Sequence, residues 1–158
     1  MAVWQVDFAI VPRRALASSP RALVSGILDT DWWRAERLPT GYSQQLTAIV
    51  PGGSSGTPER QTWGDADGNR VDVWFSNGQA TRMTARVDVR RLDAKFGAML
   101  LQFARVADAV FIRDDGLVVE PLVGAFGAAL RSAPAWQYVN DPAEYLASHA
   151  EPDDDDRV

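Results

Sequence analysis

Apolar and polar side chains alternate between residues 3 and 11 of this chain, a spacing that predicts a β-strand with one buried face. The apolar side chains of that strand are Trp4, Val6, Phe8 and Ile10. Residues 43–50 (SQQLTAIV) predict a second strand. After it, residues 51–61 (PGGSSGTPERQ) are rich in Gly, Ser and Pro, and this composition predicts a flexible loop.

The clearest alternation lies in residues 70–90 (RVDVWFSNGQATRMTARVDVR), where an Asn-Gly pair predicts a hairpin turn. A two-residue loop would mix apolar and charged side chains on one face of the hairpin. A three-residue loop at 76–78 separates them and pairs Asp72 with Arg82. The pattern therefore favours this register, with a positive φ at Gly78. The apolar face then carries Val71, Val73, Phe75, Met83, Ala85, Val87 and Val89.

Helical spacing of apolar side chains begins after this hairpin. Residues 93–109 predict an amphipathic helix with Asp93 as its N-cap, and a second helix is predicted from about residue 121. Residues 110–119, between these helices, predict a short hairpin around an Asp-Gly turn. Earlier in the chain, a Ser-Pro pair at 19–20 predicts another helix start. The side chains of the second helix that we expect to face inward are Leu122, Phe126 and Leu130.

Residues 131–146 (RSAPAWQYVNDPAEYL) hold the last cluster of aromatic side chains, Trp136, Tyr138 and Tyr145. The residues Asp-Pro-Ala-Glu at 141–144 carry three helix-start signals and predict a short terminal helix. The segment before it is expected to be irregular or extended. A helix this short persists only when it docks. We therefore interpret the aromatics as a lid on the core of the fold rather than as a platform for a ligand.

The predicted elements follow one another in the order β-α-β-β-β-α-β-β-α-α. Two hairpins make the sheet mainly antiparallel, so the expected fold is an α+β domain with five or six strands and helices packed on one face. A length of 158 residues fits one domain, which we place at 1–150. Residues 151–158 (EPDDDDRV) are expected to be a disordered acidic tail.

Charge is divided unevenly between this tail and the rest of the chain. Of the net charge of −5, residues 151–158 contribute −4, which leaves −1 on the first 150 residues. A nearly neutral domain lacks the clustered positive charge that nucleic-acid binding requires. No apolar run approaches the roughly 18 residues that span a bilayer, and the first residues lack the order of a signal peptide. The chain also has no cysteine to form disulfides. We therefore expect a cytoplasmic location, and we expect neither nucleic acid nor a membrane as a partner.

Side chains that carry catalysis or bind metals are few. His149 is the only histidine, and near the chain end a catalytic imidazole would lack a pocket and a group to orient it. Residues 65–72 (DADGNRVD) do not match the ligand spacing of a calcium loop, and Asp114 and Asp115 fall at a predicted turn. The sequence therefore predicts no cofactor, no metal and no catalytic residue. A hydrolase that uses scattered carboxylates ranks third among the functions considered.

One group of polar side chains remains as a candidate interaction face. The favoured register gathers on the outer face of the hairpin Asp72, Trp74, Arg82, Thr84, Arg86, Asp88 and Arg90. A solvated sheet surface ordinarily carries such charges, but tryptophan and arginine are also the residues most enriched at interface hot spots. Trp32 and Trp33 are a second candidate. Adjacent residues of a helical turn cannot both face inward fully, so one of the two is expected to be partly exposed.

Residues 119–146 (VEPLVGAFGAALRSAPAWQYVNDPAEYL) resemble the C-terminal part of small uncharacterised bacterial proteins with a Ser-Ala, aromatic-Val, Asp-Pro, aromatic-Leu signature. Some small bacterial proteins of this size and α+β layout resemble the immunity proteins of polymorphic toxin systems. The resemblance implies a non-enzymatic protein-binding domain with a toxin as its partner, and it assigns no catalytic or binding residue. The alternative is a subunit that associates with a copy of itself through the outer face.

Overall fold

The computed structural model describes residues 2–18, 26–50 and 54–149, and within these residues one antiparallel sheet spans the fold. Its strands are β1 (Gln5–Pro12), β2 (Ser55–Thr57), β3 (Arg60–Gly64), β4 (Arg70–Ser76), β5 (Gln79–Asp88), β6 (Ala109–Arg113) and β7 (Val118–Val119). They lie in the order β2-β3-β4-β5-β1-β6-β7. The α+β class and the antiparallel pairing are confirmed, but the sheet has seven strands instead of the predicted five or six.

Within the described residues, six α-helices and one 3-10 turn (Ile27–Asp29) accompany the sheet. The helices are α1 (Arg13–Ser18), α2 (Tyr42–Ile49), α3 (Ala94–Val106), α4 (Val123–Arg131), α5 (Pro134–Asn140) and α6 (Pro142–His149). No helix in this part of the chain is long and apolar enough to cross a membrane. The predicted helix start at 19–20 and the predicted tail at 151–158 lie outside the described residues.

Two predictions for the stretch before the central hairpin are wrong. Residues 43–50 do not form a strand. Most of them belong to α2, whose buried Leu46 and Ile49 lie three residues apart, as on one face of a helix. The predicted loop at 51–61 contains β2 and the first residues of β3. Because β3 pairs with β4 and buries Trp63 completely, long-range pairing overrides a local composition that disfavours strands.

The hairpin of β4 and β5 has a different register from the predicted one. Its Asn-Gly pair forms a two-residue turn with φ of 52° and 76°, the second being the positive φ predicted for Gly78. Thr81 is an extra residue in β5, and this bulge brings Trp74 opposite Arg82. The predicted pairing of Arg82 with Asp72 is therefore wrong. Because the partner changes by two residues, each side chain keeps its predicted face.

The inner face of the sheet carries the core. One row of buried cross-strand partners runs through Trp63, Val71, Ala85 and Phe8. The ring of Phe126 in α4 lies 5.2 Å from that of Phe8, and Tyr42 of α2 packs on Trp63. Between them, α3 contacts both α2 and β6. These three helices pack on the inner face, and we call the opposite side of the sheet the outer face. The outer face is also buried where β1 pairs with β6, at Ala9 and Ile112.

The hairpin of β6 and β7 is tied to α4 by one buried arginine. Arg113 Nε donates to Asp115 Oδ1 at 2.8 Å within the hairpin turn, and Arg113 Nη1 donates to the carbonyl oxygen of Ala129 at 2.7 Å. The predicted inward residues of α4 are buried except Leu122, which is 57% exposed because it precedes the first turn of the helix.

The C-terminal aromatics lie on two consecutive helices. α5 occupies the segment predicted to be irregular, and its Trp136 packs against the core. α6 begins where predicted, with Asp141 Oδ1 accepting a hydrogen bond from Glu144 N at 3.1 Å. Tyr145 of α6 meets Tyr138 of α5 edge to face, with ring centroids 5.4 Å apart. α5 therefore closes the core, while α6 rests on α5 and has no buried residue of its own.

Candidate interaction surface

Cross-strand pairing decides which side chains meet on the outer face of the sheet. In one row, Arg60 of β3, Trp74 of β4 and Arg82 of β5 stand directly opposite one another. In the next row, Asp72 stands opposite Thr84. Alternation along β5 adds Arg86 and Asp88, and Arg90, in the turn after the strand, bonds to Asp88. The structure therefore brings the predicted set together: Asp72, Trp74, Arg82, Thr84, Arg86, Asp88 and Arg90.

Much of this face is buried, which corrects the expectation of a solvated surface. Asp72 is only 3% exposed, and Thr84 and Asp88 are also buried. Arg70 Nε lies 2.8 Å from Asp72 Oδ2, and Thr62 Oγ1 donates to Asp72 Oδ1 at 2.5 Å. Arginine side chains thus shield the carboxylates from water, and this part of the face stabilises the fold.

A second ion pair of the outer face joins β5 to β1. Arg86 Nε donates to Asp7 Oδ1 at 2.8 Å, and both side chains are largely buried. Asp114 adjoins the pair, since its backbone N–H donates to the carbonyl oxygen of Asp7. Partial desolvation by the surrounding protein raises the pKa of Asp114, although the residue is exposed, and the charges of Asp115 and Asp7 raise it further. Arg86 is therefore engaged within the sheet, while the environment of Asp114 disfavours its ionised form.

At one end of β5, Trp4 stacks on Arg90, and hydrogen bonds within the fold hold the arginine in place. We call these two residues the closed pair. The guanidinium carbon of Arg90 lies 4.1 Å from the centre of the Trp4 ring. Asp88 accepts hydrogen bonds from Arg90 Nη2 at 2.7 Å and from Nε at 3.0 Å, and Nη2 also donates to the carbonyl oxygen of Asp67. Burial raises the pKa of Asp88, but the hydrogen bonds from Arg90 outweigh it and hold the pKa below its ordinary value. Nε and Nη2 of Arg90 are thus already in use.

At the other end of β5, Trp74 also stacks on an arginine, but this arginine is held by fewer hydrogen bonds. Trp74 is partly buried between Arg82 and Arg60, whose guanidinium carbons lie 4.2 Å and 6.0 Å from the centre of its ring. Arg82 Nη1 lies 3.2 Å from Asp29 Oδ1, and the Asp29 side chain is 88% exposed. Among the described residues, the buried Nε of Arg82 has no acceptor and Arg60 forms no salt bridge. We call Trp74, Arg60 and Arg82 the Trp74 surface.

Trp32 and Trp33 are both buried, with 4% and 1% of their surfaces exposed. The expectation that one of them is exposed is wrong, because this stretch forms turns instead of a helix and both indoles reach backbone carbonyls. Trp33 Nε1 donates to the carbonyl oxygen of Ile10 at 2.8 Å, and its backbone N–H donates to that of Thr81 at 2.9 Å. Thr81 is the bulged residue of β5. The two tryptophans therefore anchor the segment that carries Asp29 beside the Trp74 surface.

A groove with a volume of about 960 Å³ lies between the β3–β4 turn and the start of α3. Two of its lining residues, Asp88 and Arg90, are bound to each other. Within residues 2–18, 26–50 and 54–149, no group of three or more His, Asp or Glu side chains is arranged to hold a metal ion. His149 lies at the end of α6, where its ring stacks on Tyr145 with centroids 4.2 Å apart.

Comparisons with protein-family models, with curated proteins and with solved structures found no match to this chain. Sequence reasoning identified Trp74 and Arg82 but missed Arg60 and Asp29. Arg60 falls in the stretch predicted to be a loop, and Asp29 lies in a segment without a regular pattern. Only the pairing of β3 with β4 and the burial of the two tryptophans bring these residues to the surface described here.

Proposed function

We propose that this chain is a non-enzymatic protein-binding domain that contacts its partner through the Trp74 surface. One observation carries the proposal: a partly exposed tryptophan stands between two arginines that are opposite it in neighbouring strands. Tryptophan and arginine dominate interface hot spots. Their placement on paired strands lowers the entropic cost of ordering them in a complex.

The carboxylates of the sheet support a non-enzymatic function. Asp7, Asp72 and Asp88 each pair with an arginine and are buried. General acid–base catalysis requires a carboxylate that exchanges a proton with a substrate. These buried carboxylates are instead held by arginines within the sheet.

The resemblance of residues 119–146 supports a more specific proposal. In it, the chain acts as an immunity-type protein in the bacterial cytoplasm and binds a toxin. Among the described residues, the Trp74 surface lies on β3, β4 and β5, outside that segment. The proposal therefore assigns α4 and α5 to the closure of the core, and it assigns binding to β3, β4 and β5.

The proposal is tested by affinity capture from lysates that contain candidate toxins, using the wild-type chain, Trp74→Ala and Trp4→Ala. Trp4 is a matched control, because it is also a partly buried tryptophan stacked on an arginine of the same face. We expect one captured protein to be lost with Trp74→Ala and kept with Trp4→Ala, at a temperature at which both variants are folded. Equal retention by the two variants would refute the proposal.

A second candidate function is self-association, which is favoured by exposed apolar side chains beside the edge strand β7. The side chains concerned are Leu117, Val118, Leu122 and Val123, of which Val123 is 76% exposed. Exposed apolar side chains at a sheet edge are typical of contacts between copies. Light scattering distinguishes the two functions. A dimer that Val118→Asp converts to a monomer would favour self-association at β7, and a monomeric wild-type chain would exclude it.

A further inference from the structure

We propose that the Trp74 surface binds a carboxylate side chain from an acidic segment of the partner protein, and that Asp29 occupies the place of this carboxylate in the free protein. The inference rests on the proposed function, because it specifies the chemistry of the same surface. It assigns to Asp29 the role of an internal competitor. The partner would replace Asp29 at Arg82 and use the unpaired charge of Arg60.

The contact between Arg82 and Asp29 is one that another carboxylate can readily replace. It is a single contact of 3.2 Å to one oxygen of a carboxylate that is 88% exposed. Arg82 itself is mostly covered, and its Nε is buried without an acceptor among the described residues. A carboxylate that binds the planar guanidinium with both oxygens would satisfy Nε as well as a terminal nitrogen.

The closed pair at the other end of β5 shows what a completed arginine site looks like in this fold. Arg90 also stacks on a tryptophan, but its Nε and Nη2 both donate to Asp88, a buried carboxylate two residues away. Arg82 has the same stacking geometry without such a carboxylate. The difference between the two arginines lies in the missing second acceptor.

Charge complementarity identifies the chemistry of the occupant. Arg60 and Arg82 flank Trp74 on both sides, and Asp29 is the one carboxylate among the described residues that pairs with either of them. An acidic side chain placed beside the indole would meet two guanidinium groups, whereas a basic or purely apolar segment would leave Arg60 without a counter-ion.

The test is an NMR titration of the full chain with a hexaglutamate peptide, with a hexaglutamine peptide of the same length as the neutral probe. The signals of the Trp74 indole N–H and the Arg82 Nε–H report the site. Hexaglutamate should shift both signals, more weakly as salt is added, and hexaglutamine should shift neither. Shifts confined to other arginines would overturn the proposal.

Variants of the two acidic residues separate competition from a general change in charge. Asp29→Asn should tighten hexaglutamate binding about two- to fivefold, the range expected when an exposed ion pair is removed. Asp108→Asn is the matched control, because Asp108 is also an exposed carboxylate with a single long contact to an arginine, and it should leave the affinity unchanged. Arg82→Lys keeps the charge but loses the planar fork, and should weaken binding.

Three results would overturn the inference. They are an unchanged affinity in Asp29→Asn, an equal gain in Asp108→Asn, and tighter peptide binding by a chain that ends at Glu151, which would assign the surface to the acidic residues 153–156. The carboxylate inference can also fail while the proposed function holds. If Trp74→Ala abolishes partner binding while Asp29→Asn and salt leave it unchanged, the surface binds a protein but not through a carboxylate.

Discussion

Two tryptophans lie against arginine guanidinium groups at opposite ends of β5, and their surroundings differ. Trp4 packs partly against the core, and its arginine is fixed by Asp88. Trp74 contacts Arg82 and Arg60 on the outer face. Alternation along the chain predicts that Trp74 lies on the polar face. Arg90 is held by hydrogen bonds to Asp88 and to the carbonyl oxygen of Asp67. Sequence spacing does not reveal the contact with Asp67.

The two tryptophans should differ in their contribution to stability. Trp4→Ala removes a side chain that packs against the core, and we expect it to lower the free energy of unfolding by about 2–3 kcal/mol. Trp74→Ala removes cation–π contacts at the surface and should cost about 1 kcal/mol or less. Urea denaturation of both variants measures the difference. A larger loss in Trp74→Ala would place Trp74 in the core and remove it from the proposed surface.

Replacing Asp114 and Asp88 by asparagine should change the melting temperature at pH 7 in opposite directions. The raised pKa of Asp114 means that its ionised form opposes folding. Asp114→Asn should therefore raise the melting temperature at pH 7, and the gain should vanish as the pH falls through the raised pKa towards the ordinary value of 3.8.

Asp88→Asn is the complementary change. Because the pKa of Asp88 is lowered in the folded state, its charge stabilises the fold above the ordinary value of 3.8, and this contribution is lost as the pH falls through the lowered pKa. The variant should melt below the wild type at pH 7, with a difference that shrinks at acidic pH. Thermal melts between pH 3 and pH 7 follow both variants. Parallel curves for the two would show that neither pKa shift is present.

At the scale of elements, the sequence correctly predicts the strands and helices in which the hydrophobic pattern repeats within the element itself. The alternation in β1, β4 and β5 and the helical spacing in α3 place those elements correctly. The misplaced elements depend on distant partners. β3 forms because it pairs with β4, and the bulge at Thr81 appears in no local pattern, although its carbonyl anchors Trp33. The error in the hairpin register has the same origin.

The turn between β4 and β5 provides a prediction about backbone strain. Gly78 has φ of 76°, and a Cβ added there would meet no atom within 4 Å, so any cost of a side chain comes from the backbone. Gly78→Val should destabilise the fold by about 1 kcal/mol or more. Gly97→Ala in α3 is the control. It has open space and no positive φ, and should stabilise by about 0.5–1 kcal/mol. If Gly78→Val is harmless, the turn is not the one described.

At the scale of the molecule, the sequence predicts the α+β class and the antiparallel sheet but not the number of strands. Hydrophobic patterns are sufficient to identify amphipathic helices and an antiparallel sheet. The seven-stranded order requires β2 and β3, which contain residues typical of loops. The candidate surface is predicted in part for the same reason, since Trp74 and Arg82 lie in a patterned hairpin while Arg60 and Asp29 do not.

The acidic end of the chain should not contribute to the stability of the domain. Residues 152–158 (PDDDDRV) contain one residue with a large apolar side chain, Val158, so they have little to bury on folding. A chain that ends at Glu151 should keep its melting temperature within about one or two degrees of the full chain. Differential scanning calorimetry measures this. A fall of many degrees would show that these residues bind the rest of the domain.

The most direct test of the account is the dissociation constant of the captured partner, measured by isothermal titration with the purified wild-type chain, Trp74→Ala and Trp4→Ala. If the Trp74 surface is the binding site, Trp74→Ala should weaken binding by about tenfold or more, as for a hot-spot residue. Trp4→Ala, measured while folded, should bind as the wild type does. Equal dissociation constants for Trp74→Ala and the wild type, or a loss confined to Trp4→Ala, would contradict the account.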